Sequence, residues 1–292
     1  MAPIAALFDS KAPTEKGVHV FYVTQQNNLG LACRHAGLHG KDSQDVWAAD
    51  EKTFKGIVQD KSEIGAAIVD GVRFVVAMTN HKPESSEALA TLNDVSIVSP
   101  IYQVLASTAL GDTTMAIASS DDEGWVYYLT CTNAGEVEVN EYELSSGNRA
   151  TFKGLNVVVD CSLGAYYDKA SGKRFIIFQE RGESHLKEYN IDTKQSVDIL
   201  DTAGAGAKTS LCVTYSDGIA YLYYTDEYLN VYRVVKKQGS WGNRRNLFNE
   251  KPGANSQMAV VTANGANHVF FQTENSTKIA HCRDDAPSNG TF

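Results

Sequence analysis

Few side chains in this sequence stand at spacings that perform chemistry by themselves. His35 and His39 are four apart, a separation that brings two imidazoles onto one metal when the backbone is helical, but Gly37 and Gly40 interleave with them and make the segment a turn. Asp121, Asp122 and Glu123, and again Asp284 with Asp285, crowd carboxylates as a calcium loop does, yet no series of oxygen ligands follows them. TAGAGAK at Thr202 has the small residues of a phosphate loop without its flanking strand and helix, and reads as a connector. No GxSxG, HExxH or dinucleotide fingerprint occurs. Cys33, Cys131, Cys161, Cys212 and Cys282 include no CxxC pair; most fall at strand positions, where a thiol is a small hydrophobe. The expectation is no metal, no cofactor, no disulfide and no covalent nucleophile. A function built on shape and hydrogen bonding remains.

The charge balance narrows the partners. Net charge is −9, and the densest cationic spots, Lys236-Lys237 and Arg244-Arg245, read as solvated turn residues, so nucleic acid is a poor partner. No run of 18 apolar residues exists to span a bilayer. The amino-terminal MAPIAALFDSKAPTEK lacks a basic segment followed by a long apolar core, which leads to the expectation of a cytoplasmic protein.

The elements that must position any site are strands. From Thr209 to Val235 the chain runs apolar to Tyr215, turns at Ser216-Asp217-Gly218, alternates aromatic and aliphatic residues to Thr225, turns at Asp226-Glu227 and runs apolar again, a β-meander. The same grammar recurs six times: small-residue strands begin at Ile4, Ile64, Thr114, Leu163, Leu211 and Met258, and aromatic-rich ones at Val18, Val72, Trp125, Lys173, Ile219 and His268. A recurrence every 46 to 54 residues with no helical linker predicts an all-β, six-bladed β-propeller, with a two-sheet sandwich as the alternative. Small residues suit inner strands crowded at an axis, and Phe and Tyr fill the wider gaps outside. The whole chain, 1–292, reads as one domain, with blades at about 4–60, 63–110, 113–153, 157–201, 209–250 and 257–292. The last blade lacks an evident fourth strand, so closure falls to the amino-terminal segment or to side-chain packing. EVEVNEYEL, from Glu136, alternates like an outer strand with one wet face, and NHKPESSEALATLNDVSIV, from Asn80, reads as a long surface loop or lid.

The blade grammar resembles that of the fungal fucose-specific lectin family. It is carried by HVFFQTENSTKIAHC at His268, FIIFQERGESHLKEYNI at Phe175 and YLYYTDEYLNVYRVVKKQGSW at Tyr221. The resemblance implies pockets between blades, each with an Arg opening the second strand, a Glu or Gln on the third and an aromatic from the fourth. Aligned on that pattern, the Arg positions hold His19, Arg73, Trp125, Phe175, Tyr221 and His268, and the Glu positions hold Ala32, Glu141, Glu188, Val231 and His281, with none placed in the second blade. Arg174 occupies the Arg position only if its strand slips by one residue, which turns it to the opposite face. Trp241 is the one clear Gly-x-Trp aromatic. No blade keeps the whole trio.

Some biosynthetic proteins similar to this lectin fold catalyse hetero-Diels–Alder coupling of a tropolone-derived quinone methide with a sesquiterpene polyene such as humulene. By that resemblance the leading expectation is a cofactor-free pericyclase of fungal secondary metabolism acting on a hydrophobic small molecule, with a homodimer compatible. Such a reaction needs an apolar chamber and a few hydrogen-bond donors. His19, Arg73, Tyr221 and His268 are the candidate catalytic donors, with Trp125, Phe175, Glu188 and Trp241 as substrate-binding residues. The alternatives are a carbohydrate-binding lectin with degenerate sites and a noncatalytic scaffold.

Overall fold

Six antiparallel sheets stand around one axis in the computed structural model, which describes residues 3–36, 47–48, 58–59, 61–80, 92–108, 114–132, 135–159, 161–254, 256–274, 276 and 278–285. The inner strands are Ile4–Phe8, Ile64–Val69, Met115–Ser119, Gly164–Asp168, Leu211–Ser216 and Ala259–Ala263. Each lies against the inner strands of both neighbouring blades, and Ala259–Ala263 lies against Ile4–Phe8, which closes the ring. The protein is a six-bladed β-propeller. Blades one to five have a fourth strand; among the described residues blade six has three, ending at Ile279–Asp284.

Local sequence explains the hairpins. Asp217 and Gly218 both take positive φ, 52° and 80°, the pair of left-handed residues that matches a two-residue turn to strand twist. Crowding at the axis explains the small residues: a Cβ on Gly164 would stand 2.9 Å from Leu211 Cδ1 of the next blade. Farther out, each pair of blades encloses its own apolar cluster, such as Trp125, Tyr127, Ile176 and Phe178 between blades three and four. Blades six and one meet in the same way, through Ile4, Val18, Val20, Val261 and Phe270, so side-chain packing closes the toroid.

Three sequence expectations change. EVEVNEYEL contains the third strand Val137–Glu143, with Arg149–Phe152 outside it, and Glu141 is buried against the next blade rather than facing water. The long insertion ends in a strand, Asn93–Ser99, and Gln103–Thr108 forms the outer edge of blade two, while 81–91 lie outside the described residues, as does His39. Lys236 belongs to the strand Val231–Lys237 and not to a turn.

A polar belt ties the bases of the inner strands together. Gln257 Oε1 accepts from the backbone N–H of Ile4 and of Ile64, at 3.0 and 3.1 Å, while its amide nitrogen donates to the Ile64 carbonyl at 2.8 Å. Glu63 accepts from the Met115 N–H at 3.1 Å and the Ser162 hydroxyl at 2.6 Å, joining blades two, three and four. Burial raises the Glu63 carboxyl to about 7, against the lowering by these two bonds. The folded state therefore favours the protonated acid. Its stabilising contribution is full below the ordinary carboxyl range and is lost as pH rises through about 7. Thermal melts of the wild type and of Glu63→Gln should show the variant gaining on the wild type by several degrees between pH 5 and pH 8, since ~1 kcal/mol moves Tm by about 2–4 °C in a chain of this class. A constant difference across that range would show that Glu63 does not titrate there.

Candidate functional site

Each blade presents one face of its second and third strands to the next blade, and the register defines an equivalent position on the third strand. Tyr127 faces Glu141, Ile177 faces Glu188, Tyr223 faces Arg233, and Phe270 faces His281 across their strand pairs. In blade one Phe21 faces Leu31, and in blade two Val76 faces Ile97. The third-strand residues at this position are thus Leu31, Ile97, Glu141, Glu188, Arg233 and His281 in chain order. The sequence alignment differs in two blades: Arg233 stands where Val231 was expected, and Leu31 where Ala32 was. Leu31 is one residue from Ala32 and so lies on the opposite face of its strand, whereas Arg233 is two residues from Val231, on the same face but one pair farther along.

The six positions are used differently. Between blades five and six, Arg233 and Asp284 form a buried ion pair, with both Asp284 oxygens 2.7 Å from Arg233 Nη1. Tyr223 donates to Asp284 at 2.6 Å and Asn267 donates to Tyr223 at 2.8 Å, which fills the gap. Between blades three and four, Arg174 Nη1 lies 2.8 and 2.9 Å from the two Glu141 oxygens, Nη2 bonds Asp192 at 2.9 Å, and the guanidinium stands 5.2 Å from the Trp125 ring centroid. Burial raises the Glu141 carboxyl, while Tyr127 and Arg174 hold it down. Between blades six and one, His268 Nδ1 and His281 Nε2 are 2.9 Å apart, and burial lowers both imidazoles, His281 to about 4.

Between blades four and five a pocket of about 400 Å³ remains. It is organised by Glu188, on Leu186–Asn190, which Lys236 of blade five approaches at 2.6 Å and to which the Tyr166 hydroxyl donates. Lys236 Nζ is also 4.2 Å from the Phe175 ring centroid and 6.0 Å from that of Trp241. Phe175, Tyr166 and Tyr215 stack in a row, with centroids 4.9 and 5.9 Å apart. Tyr215 donates to Asp168, and burial together with that carboxylate raises its hydroxyl to about 12. Burial, and then Glu188, raises Tyr166 further, so both phenols stay protonated donors at neutral pH. Asn190, Gln195, Lys173 and Gln238 add to the polar lining. A carboxylate, an ammonium, amides and flat rings in one recess can bind a polyhydroxylated ring by its hydroxyls on one side and its C–H face on the other.

The eight residues singled out from sequence divide among several places. Phe175 and Glu188 line this pocket, and Trp241 packs against the same apolar cluster. Trp125 belongs to the cluster between blades three and four. Tyr221 and His268 are almost wholly buried, and His19 is buried with its imidazole lowered by desolvation. None of those three lines this pocket or the cavity on the axis. Arg73 lines the axial cavity: it sits on the opposite face from Phe74, which packs toward blade three, and bonds Asp9 of blade one. Arg174 reaches back in the same way to Glu141.

Lys236 and Tyr166 were missed by sequence reasoning because they reach Glu188 from another blade and from the inner strand. One signal was present. Tyr232, Val234 and Lys236 alternate on one strand face, and the first two pack against blade four, so the period places Lys236 there too.

With this geometry in view, solved structures supply a comparison. A mutant of the Aleuria aurantia lectin, in complex with α-methyl-L-fucoside, superposes with a TM-score of 0.69 at 14% identity, covering 97% of this chain and 91% of that one. The chain shares a fold with fucose-specific lectins. Another structure of the same lectin, described as a six-bladed β-propeller, gives a TM-score of 0.63 at 14% identity, covering 97% and 91% of the two chains. A mutant of AofleA from Arthrobotrys oligospora gives 0.64 at 11% identity, covering 97% and 82%. No family model and no curated protein matches the sequence. Identities this low establish the architecture and leave the ligand to the side chains.

The two kinds of ion pair should respond differently to mutation. Arg233→Met leaves Asp284 buried without its guanidinium and should cost about 3–5 kcal/mol in denaturant unfolding. Lys236→Met also orphans a buried carboxylate, but one bordering a pocket that water can enter, and should cost less, below about 3 kcal/mol. Equal losses would contradict the distinction between a filled gap and an open one.

Proposed function

We propose that the protein binds carbohydrate in the pocket between blades four and five. The observation that carries this reading is the convergence of Glu188, Lys236 and Tyr166 beside stacked rings in an open recess. Glu188 has lone pairs left to accept from sugar hydroxyls, and Lys236 has a proton beyond those directed at Glu188 and Tyr166 to donate to a ring or hydroxyl oxygen. The volume suits a monosaccharide or the end of a short glycan. Similarity of fold to proteins solved with fucosides makes fucose the first sugar to try.

In this reading the cation comes from blade five, where the family pattern places an Arg on the second strand, so the pocket is a variant rather than a copy. Glu141 with Arg174 has the same pair of charges, but they engage each other and Asp192, and Trp125 covers the guanidinium. One working sugar site per chain is the consequence. The cycloaddition reading draws less support, because His19, Tyr221 and His268 line neither the pocket nor the axial cavity. Comparing product ratios with and without the protein would test it directly.

Calorimetric titration with α-methyl fucoside, followed by a glycan array, should give one site per chain. Glu188→Gln and Lys236→Ala should each weaken it at least tenfold, the loss expected for one charge-assisted hydrogen bond of about 1.5–3 kcal/mol. Arg73→Ala should leave it unchanged. Absence of binding to any glycan, or loss on Arg73→Ala alone, would displace this reading.

A further inference from the structure

The cavity on the propeller axis, about 1050 Å³ and lined by all six blades, is not used by the carbohydrate pocket. Its wall is divided by chemistry. Blades one and two contribute Leu7, Phe21, Leu31, Ile68, Val72 and Pro100 beside the charged Asp9, Lys11 and Arg73, whereas blades three and five contribute chiefly polar residues such as Ser119, Ser120, Thr214 and Ser216, and blade six two valines and Thr262. The apolar half follows from the third-strand position that holds Glu188 in blade four. In blade one that residue is Leu31, so the cleft toward blade two carries no carboxylate there and continues into the axial space.

Two further observations point to an occupant. Val72 is 42% exposed on this wall, an apolar side chain left against the cavity although the neighbouring inter-blade cluster is well packed. Beside it, the Arg73 side chain is 48% exposed, and its bonds to Asp9 use Nε and Nη2, which leaves Nη1 for a ligand. A sugar would set its hydroxyls against Leu and Ile, where they lose water without gaining partners. A molecule with a hydrocarbon body would remove that wall from water.

We propose that the axial cavity binds an apolar small molecule bearing one oxygen acceptor, its body against Leu7, Leu31, Ile68 and Val72 and its oxygen at Arg73. The site is distinct from the carbohydrate pocket, with Tyr215 bordering both. A cavity of this size accommodates a body of several fused or folded rings.

The probe is 8-anilinonaphthalene-1-sulfonate, an aromatic body with a sulfonate, titrated by fluorescence into the full chain. One saturable site is expected, weakened at least tenfold by Val72→Asp and three- to tenfold by Arg73→Gln. Ser216→Trp, which fills the hydroxyl side of the cavity, should abolish it and carries the test should Val72→Asp fail to fold. Glu188→Gln should leave dye binding intact, so that failure here and failure of the carbohydrate reading are separate results. Ile101→Ser, on the exposed hairpin of blade two, should also have no effect. Three results would overturn the proposal: no saturable binding, wild-type binding by Ser216→Trp, or loss on Ile101→Ser, which would place the dye on that hairpin.

Discussion

Close approach of the six inner strands is the constraint on which everything else depends. Where Gly164 meets Leu211 there is no room for a Cβ, and where the strand bases converge, backbone groups of different blades come within reach of a single side chain. Gln257 uses that proximity to join blades six, one and two, and Glu63 to join two, three and four. These buried polar groups are satisfied only when the ring is closed. The belt therefore specifies a six-blade closure that apolar packing alone would favour without fixing. It also leaves the opposite end of the axis free to widen into a cavity.

With closure settled at the axis, the outer gaps between blades can vary. One third-strand position recurs as Leu31, Ile97, Glu141, Glu188, Arg233 and His281, and its occupant decides whether a gap is apolar, filled or open. Arg233 with Asp284 makes a buried structural pair. Glu141 meets a guanidinium with three partners, and Glu188 meets an ammonium that still borders an open recess. Chemically similar pairs thus diverge through geometry. A planar fork held at two carboxylates and a ring is committed, while a lysine head at one carboxylate keeps a proton to share.

Much of the fold was legible because it is written in local terms. Asp217-Gly218 announces a hairpin, the small residues near Gly164 announce an inner strand, and the aromatic run after Ile219 announces its partner. The site was only half legible. Glu188 and Phe175 stood out in their own blade, but Lys236 looked like a surface charge because its partner lies 48 residues away. Arg73 stands one residue before Phe74, which faces blade three, and that single step along the strand turns its side chain to the other gap.

By itself the sequence determined the meander, its sixfold recurrence and the absence of familiar catalytic motifs, since these rest on alternation, turn chemistry and spacing along the chain. Tertiary structure alone decided which charges meet, because every ion pair that distinguishes the gaps joins two blades or their flanking turns. It also decided that one such gap stays open and that the axis holds a cavity with one greasy side. Those features depend on the angle and distance between sheets, which no single strand encodes.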